Sequence, residues 1–317
     1  NADSSVFLDR TFTLKAVPNA LYIFTSPFTF TNASVTGRNG PTLSDLTTAY
    51  SPSWTGYTSN LNVTTQGIQE WTVPVSGTYR IEAFGAGAKL SSGARMRGDF
   101  TLTRSEIIHI LVGQKHVPHA SQFAGNGGAG GTFVVRSPYN TTASILVIAG
   151  GGGGMGSPRT PDVVGGRDGT TGNNGQNAET AAGGYTGLGG TSGNGGTNAS
   201  RTFAGGGGGG FSGNGEGSYE GSTEYTRALS FTNGGIGGLH TGVNYALGNG
   251  GFGGGGAASY APAGGGGYSG GGGVASGGNG SDMALNGGGG GSYNSGTNPS
   301  NSTGANSGHG YVIVNKI

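Results

Sequence analysis

The chain has 317 residues, of which 76 are glycine and none is cysteine, with 9% charged residues and a net charge of +1. The lack of cysteine excludes disulfide bonds within this sequence, and the low, balanced charge predicts neither nucleic-acid binding nor attraction to an anionic membrane. The apolar runs are far shorter than the roughly 20 residues of a membrane-spanning helix, so we expect no membrane insertion. Few charges with abundant Ser, Thr, Asn and Gly favour an extracellular structural protein over a cytosolic enzyme.

Glycine is unevenly distributed and divides the chain into regions. Three glycines lie in residues 1–65, twelve in 66–149 and sixty-one in 150–310. We therefore predict four regions: N-terminal strands (1–65), a core of strands (66–149), a glycine-rich insertion (150–306) and a closing strand (307–317).

The N-terminal region begins with an amphipathic extended segment. Val6, Leu8, Phe12 and Leu14, with Ala16, share one face of a β-strand, because side chains two residues apart lie on the same side. A second β-rich run, interrupted by a proline, follows a Pro-Asn break. Two interpretations stay open: the segment pairs with a sheet edge of a neighbouring copy, or it completes the sheets of its own chain.

Residues 66–149 contain the clearest strands, because short apolar and β-branched runs alternate with turn residues. The predicted strands are 68–73, 78–84, 99–103, 106–113, 132–136 and 145–149, with a further strand at 310–314. Short turns at 74–77 and 103–105 suggest that the strands flanking each turn are antiparallel neighbours. No segment has convincing helical periodicity, so we expect an all-β architecture.

The longest glycine runs do not suit ordinary secondary structure; they are 150–154, 205–210, 253–256, 264–267, 270–273 and 287–291. Each glycine disfavours an α-helix by about 1 kcal/mol, and a glycine sheet lacks side chains to pack. One alternative is a bundle of polyproline-II-like helices with three residues per turn, whose backbones pack closely and exchange hydrogen bonds. The other is a disordered spacer. Predicted strands on both sides of the runs favour the ordered bundle.

Several sequence blocks in this part of the chain resemble one known family. They read GIQEWTVP at 67–74, YRIEAFGA at 79–86, ILVGQ at 110–114, GGTFV at 130–134, LVIAGGGG at 146–153 and GHGYV at 308–312. In this order they resemble the glycine-rich ectodomain of the anaplastic lymphoma kinase and leukocyte tyrosine kinase receptors, over about residues 66–316. The resemblance implies a tumour-necrosis-factor-like (TNF-like) β-sandwich with a large inserted bundle of polyglycine-II helices. The sequence contains no cysteine, no transmembrane segment and no kinase domain. The resemblance therefore implies the fold of these ectodomains rather than receptor signalling.

Motifs for catalysis or metal binding are weak. No lysine follows the glycine pattern of a phosphate-binding loop, and no Ser/His/Asp arrangement stands out. His116 and His119, near His109, are a candidate metal pair, but Pro118 and the lack of a carboxylate cluster argue against it. The Arg-Gly-Asp tripeptide at 97–99 adjoins a predicted strand, so we interpret it as strand entry. We expect no enzymatic activity, cofactor or metal.

Six Asn-X-Ser/Thr sequons begin at Asn32, Asn62, Asn140, Asn198, Asn279 and Asn301. They are candidate N-glycosylation sites in a secreted eukaryotic protein. Of these, Asn32, Asn62 and Asn140 are preferred, because they lie outside the glycine-dense sequence.

The leading hypothesis is a secreted, non-enzymatic structural subunit of an extracellular filament or matrix. Its partner is a second copy of the chain, whose groove receives Val6, Leu8, Phe12 and Leu14 in a head-to-tail polymer. The alternative is an extracellular binding module, either ligand-binding like the receptor ectodomains or a viral tail-fibre adhesin. In an adhesin, host glycans would meet the loop aromatics Tyr219, Tyr225, Tyr260 and Tyr268.

Overall fold

The computed structural model describes residues 20–51, 59–116, 125–156, 166–180, 185–220, 223–224, 227–240, 248–275 and 285–317. The predicted assembly residues Val6, Leu8, Phe12 and Leu14 lie outside these ranges, as do Asn279 and Tyr225. In the described ranges the chain is mostly β-sheet, with one α-helix, α1 (Leu43–Tyr50), and two short 3₁₀ turns, Thr142–Ser144 and Phe231–Asn233.

The strands are numbered in chain order: β1 (Phe28–Phe30), β2 (Leu61–Asn62), β3 (Ile68–Thr72), β4 (Gly77–Phe84), β5 (Gly93–Leu102), β6 (Ile107–Leu111), β7 (Thr132–Arg136), β8 (Ile145–Ala149), β9 (Glu179–Thr180), β10 (Tyr185–Thr186), β11 (Tyr219–Glu220), β12 (Thr223–Glu224), β13 (Val274–Ala275), β14 (Leu285–Asn286), β15 (Tyr293–Asn294), β16 (Ser302–Asn306) and β17 (Tyr311–Lys316). The expectation of an all-β chain is therefore confirmed apart from α1.

Two antiparallel sheets form the body of the fold. Sheet A has the order β1-β17-β4-β5-β16, and sheet B has the order β15-β8-β7-β6-β3-β2. They pack face to face around one hydrophobic core whose largest members, Trp71, Tyr79 and Phe30, are completely buried. Fully burying each such ring stabilises the fold by roughly 2–3 kcal/mol.

Residues of the N-terminal region complete this core within their own chain. In β1, Phe28 and Phe30 pair with β17, and both side chains are buried among the core residues of the two sheets. Tyr22 and Phe24 pack against the same core. Any strand donated to another copy is therefore confined to the residues before position 20.

Helix α1 corrects the expectation that residues 1–65 contain only strands. Its start is fixed by a capping box: the Asp45 amide donates to Thr42 Oγ1 (3.3 Å), and the Thr42 amide donates to Asp45 Oδ2 (2.8 Å). Leu46 and Tyr50, four residues apart, bury one face of the helix. The Thr-x-x-Asp pattern at residues 42–45 is the sequence signal that marks the start of this helix. The helix itself has only eight residues, which are too few to show a clear helical periodicity.

The short turns at 74–77 and 103–105 each connect a strand of one sheet to a strand of the other. The prediction that the strands flanking each turn are antiparallel neighbours is therefore wrong. β3 leads to β4 in the other sheet, and β5 leads to β6, while the pairs that form are β3 with β6 and β4 with β5. The Val73 amide donates to the Glu106 carbonyl (2.8 Å), and the Ser105 amide donates to the Val73 carbonyl (2.9 Å). These bonds hold the turns side by side at one end of the sheets, which we call the turn end.

The glycine-rich segments form a third layer on the outer face of sheet B. Phe211, Phe231 and Phe252 pack with Phe133 and Ile148 in a second hydrophobic cluster. Sheet B is thus covered on both faces, which explains why β7 and β8 read as continuous apolar runs. Their predicted bounds, 132–136 and 145–149, are confirmed.

Backbone hydrogen bonds within this layer repeat every three residues. Along 205–211, amides three residues apart donate to carbonyls of the same neighbouring segment. The amides of Gly205, Gly208 and Phe211 donate to segment 268–274, at Val274, Gly271 and Tyr268 respectively. Those of Gly206 and Gly209 donate to Ala257 and Gly254 of a second segment, and those of Gly207 and Gly210 donate to Glu216 and Gly213 of a third. The donor–acceptor distances are 2.7–3.0 Å. One segment is therefore bonded to three neighbours, and its polar backbone is satisfied although it is buried.

Candidate assembly surfaces

The described chain begins with an extended stretch that is anchored at the turn end. The Leu21 amide donates to the Pro74 carbonyl (2.9 Å), and the Tyr22 hydroxyl donates to the Thr72 carbonyl (2.5 Å). Trp71 Nε1 donates to the Tyr22 hydroxyl (2.8 Å), and burial raises the pKa of that hydroxyl, so it stays protonated and can donate. Leu21 and Tyr22 thus fix the start of the described chain at the turn end.

The outer side of this stretch is apolar and exposed. Leu21 is 39% exposed and Ile23 is 85% exposed, whereas their neighbours Tyr22 and Phe24 turn towards the core. A β-branched apolar side chain at that exposure leaves an uncovered apolar surface near the start of the described chain. The unbroken apolar run from Leu21 to Phe24 gave no indication of which side would face outwards.

Two clefts also lie at the turn end. The first, of about 360 Å³, is bounded by Thr78 and Thr101 of sheet A and Ile145 of sheet B. The second, of about 330 Å³, lies beside β2 and includes Leu43 and Ile107, each 40% exposed. Both are shallow and largely polar, so neither resembles a groove for a continuous apolar strand.

The opposite end of the molecule is formed by the far ends of the glycine segments. Residues 150–154 continue directly from β8, and Gly154 donates to Ala263 (2.8 Å). Phe211 lies against sheet B, whereas Gly205, six residues earlier, is bonded to Val274 (2.9 Å). Among the described residues, the loops at 185–188, 197–204 and 258–262 adjoin these far ends of the glycine segments.

Exposed aromatic and apolar side chains gather in these loops; we call Tyr185, Leu188, Arg201, Phe203 and Tyr260 the distal patch. The Arg201 guanidinium lies 4.0 Å from the centroid of the Tyr185 ring. Phe203 packs edge-on against Tyr260 at a centroid distance of 4.6 Å. Tyr185, Leu188 and Phe203 are 40%, 57% and 39% exposed.

The backbone of the distal patch is strained at Phe203. Phe203 has φ = 65°, a left-handed conformation that is rare for a bulky side chain and costs about 1–3 kcal/mol. Ser200, in the same turn, has φ = 49°. Sequence reasoning did not single out Tyr185, Leu188 or Phe203, since no local pattern identifies them.

The aromatic residues predicted for an adhesin are dispersed. Tyr268 is buried against Tyr293, with ring centroids 4.9 Å apart, and belongs to the cluster on sheet B. Tyr219 and Tyr260 are half-buried at the distal end. Of the three tyrosines that lie in described residues, Tyr268 is therefore separate from Tyr219 and Tyr260.

The described sequons differ in accessibility. Asn62 and Asn140 are exposed, as is Asn301, while Asn32 is half-buried and donates to the Val35 carbonyl (2.6 Å). Asn198 is only 6% exposed, and its amide nitrogen donates to the Gly217 carbonyl (2.9 Å). The folded chain therefore does not present the Asn198 amide to an external enzyme.

The weak chemical motifs lie in structural positions. The Arg-Gly-Asp tripeptide is inside β5, where Asp99 is 5% exposed and accepts two hydrogen bonds from Arg80, at 2.8 and 2.9 Å. His109 lies in β6 with its ring against Tyr139, 4.3 Å between centroids. Among the described residues, no group of three or more His, Asp or Glu side chains is arranged to hold a metal ion.

Comparison with known proteins finds a partial relationship to a receptor. No family profile matches the chain. The leukocyte tyrosine kinase receptor of Mus musculus is 35% identical over 97 residues, which are 28% of this chain and only 11% of the receptor. The match supports a distant relation over part of the chain. In the described ranges, no helix has the length and hydropathy needed to cross a membrane.

Proposed function

We propose that the chain is an extracellular, non-enzymatic structural subunit that assembles head to tail into a filament or matrix through its N-terminal segment. The exposed apolar pair at the base of that segment carries the proposal: Ile23 is 85% exposed beside Leu21. Burying such a pair against a second copy gains about 25 cal/mol for each Å² of apolar surface removed from water.

We propose that the subunit is a TNF-like β-sandwich with an inserted bundle of polyglycine-II helices. Two face-to-face antiparallel sheets and the partial receptor match support the sandwich. The three-residue repeat of hydrogen bonds along 205–211 supports the bundle, because a helix with three residues per turn directs successive amides to three different neighbours. Such a body is rigid enough to serve as a building block.

In this account residues 1–19 pair with a neighbour as an added strand. Val6, Leu8, Phe12 and Leu14 supply its apolar face, and the backbone supplies hydrogen bonds. The residues from 20 onward are held in their own core, so the segment can leave without unfolding the subunit. A head-to-tail contact of this kind is open and propagates.

The first prediction is that charge on the apolar face of the segment prevents assembly. In Val6→Asp/Phe12→Asp, the incoming strand would have to bury carboxylates, so the polymer is lost and static light scattering reports the monomer mass. The matched control, Thr11→Asp/Thr13→Asp, adds the same charge on the other face and should still polymerise. Equal polymerisation of both variants would contradict the proposed strand.

The second prediction concerns glycans in a eukaryotic secretory host. The exposed Asn62 and Asn140 should be modified, whereas Asn198 should remain bare because its side chain is buried and hydrogen-bonded. Glycopeptide mass spectrometry of the folded, secreted protein measures the occupancy of each site. Occupied Asn198, or bare asparagine at all six sequons, would overturn this expectation.

The alternative function, an extracellular binding module, is supported by the partial match to the leukocyte tyrosine kinase receptor. It differs from the structural subunit in one measurable respect. A binding module stays monomeric at high concentration while retaining an intact fold, whereas the structural subunit polymerises.

A further inference from the structure

Asparagine followed by glycine is a chemically reactive pair, and this chain contains nine such pairs. They begin at Asn39, Asn126, Asn174, Asn194, Asn214, Asn233, Asn249, Asn279 and Asn286. The backbone nitrogen that follows an asparagine can attack the carbon of its side-chain amide, and a following glycine has no Cβ to obstruct the attack. The sequence therefore makes all nine pairs candidates for self-modification, and the fold distinguishes the eight that lie in described residues.

Backbone hydrogen bonds occupy the attacking nitrogen in five of these pairs. The donor–acceptor distances are 2.9–3.0 Å, and the amides of Gly175, Gly215, Gly234, Gly250 and Gly287 donate respectively to the carbonyls of Gly190, Ala228, Phe231, Gly238 and Gly154. An amide that is bonded in this way must release its acceptor before it can turn towards the side chain of the asparagine. The bond therefore slows the attack.

Burial restrains two further pairs. Asn126 is 8% exposed, and its side-chain amide nitrogen donates to the Met155 carbonyl (2.9 Å). Asn39 is exposed, but Gly40, which carries the attacking nitrogen, is buried. The reaction needs solvent base to remove the proton of that nitrogen, so burial of the glycine slows the attack.

The pair Asn194–Gly195 has neither restraint. Asn194 is exposed at the end of a turn, where its amide donates to the Thr191 carbonyl (3.0 Å), and Gly195 is half-buried. Among the described residues, none accepts a hydrogen bond from the Gly195 amide, and none is hydrogen-bonded to the side chain of Asn194. The Gly270 amide donates to the Asn194 carbonyl (3.0 Å), so the backbone is held while the side chain can turn.

The pair Asn174–Gly175 is a matched comparison within the same chain. Asn174 is also exposed, and Gly175 is also half-buried. The Gly175 amide, however, donates to the Gly190 carbonyl (3.0 Å), whereas the Gly195 amide has no such bond in the part of the chain that the structure describes. A difference in reactivity between the two pairs therefore reports this hydrogen bond rather than the exposure of the asparagine.

We infer that Asn194 is a site of spontaneous deamidation in the folded chain. The Gly195 nitrogen loses its proton to solvent base and bonds to Asn194 Cγ, the Cγ–Nδ2 bond breaks, and Nδ2 takes up a proton and leaves as ammonia. Water then opens the resulting five-membered succinimide. Its attack on Cγ gives aspartate, and its attack on the backbone carbonyl carbon gives isoaspartate.

The products alter a turn that contacts the glycine-rich layer. The Gly193 carbonyl accepts from the amides of Ser212 (2.9 Å) and Gly213 (3.1 Å), and the Gly196 amide donates to the Gly208 carbonyl (2.8 Å). Both acids add a negative charge between these bonds, and isoaspartate also lengthens the backbone because the chain then runs through Cγ. Deamidation therefore weakens the hold of this turn on the layer, whether or not the chain assembles.

The test follows the full, unmodified chain in mildly alkaline buffer by peptide mass spectrometry, which detects the mass change from amide to acid. We expect Asn194 to be modified at least about five-fold faster than Asn174, the factor that corresponds to one backbone hydrogen bond. In concentrated urea, where the fold is lost, the two asparagines should react at similar rates. Equal rates in the folded chain, or no reaction at Asn194 there, would overturn the inference.

Two variants assign the acidic product to its residue. Asn194→Gln lengthens the side chain by one methylene, so a slower six-membered ring closure replaces the five-membered one. On ion-exchange chromatography, the acidic form that accumulates in the unchanged chain should be lost in this variant and kept in the matched control Asn174→Gln. Circular dichroism and the thermal midpoint should show the same fold in both. Equal amounts of the acidic form in the two variants would contradict the assignment to Asn194.

Discussion

Single glycine residues determine whether the third layer can form. A Cβ built on Gly270 would lie 1.8 Å from the carbonyl oxygen of Gly208, and one on Gly264 would lie 1.9 Å from that of Gly271. Both contacts are with backbone of a neighbouring segment, which cannot move without breaking its own hydrogen bonds. A Cβ on Gly172, in contrast, meets no atom closer than Thr170 Oγ1 at 3.8 Å.

We therefore expect Gly270→Ala to lower the free energy of unfolding by about 3 kcal/mol or more, because the added methyl group overpacks the backbone. The matched control, Gly172→Ala, should change it by less than about 1 kcal/mol, with stabilisation favoured by the smaller unfolded-state entropy. Urea unfolding followed by circular dichroism measures both. Equal, small effects would mean that the glycine segments are not packed backbone to backbone.

At the scale of elements, the closing strand is joined to the core by a turn that contains a histidine. The Gly310 amide donates to the Gly113 carbonyl (2.8 Å), and the Lys115 amide donates to His309 Nδ1 (3.2 Å). His116, next to Lys115, is 3% exposed, so its ring is almost completely removed from water. Burial lowers the pKa of His309, and burial also lowers the pKa of His116 to about 4.

These histidines predict a loss of stability in mild acid. Between the unfolded pKa of His116, near 6.5, and the folded pKa of about 4, the unfolded chain binds a proton that the folded chain does not. Stability therefore falls as pH drops through this window, by roughly 3 kcal/mol for His116 alone. Urea unfolding at pH 7, 5.5 and 4.5 should show this slope, and His116→Gln should flatten it. An unchanged slope in the variant would contradict this assignment.

The elements also differ in how far the sequence predicts them. β7 and β8 are buried on both faces, so a short apolar run bounded by turn residues identifies both of their ends. β5 begins six residues before its predicted start at 99, because Gly93 to Met96 has no strand pattern and is fixed by pairing with β4. The turns at 74–77 and 103–105 looked like hairpins, since local sequence does not state whether a turn stays within a sheet.

Long-range pairing hides the distal patch from sequence analysis in the same way. The two strands of its ribbon, β10 and β13, are separated by almost 90 residues, and Phe203 meets Tyr260 only after the glycine segments have packed. The amphipathic N-terminal segment is visible in the sequence because its pattern is local.

At the scale of the whole molecule, sheet B is the element that contacts both sheet A and the glycine-rich layer. The two sheets pack around the first hydrophobic cluster, and the glycine-rich layer packs on the outer face of sheet B through the second. The described clefts are shallow and polar, and the described histidines and carboxylates serve as structural groups. The structural role remains our proposal for this arrangement.

Cryo-electron microscopy of the full, unmodified chain at high concentration tests the central claim most directly. We predict filaments with one subunit per axial repeat, in which density for residues 1–17 crosses from each turn end into the next subunit. Monomers, or density for residues 1–17 folded back onto the sheets of their own subunit, would contradict the account.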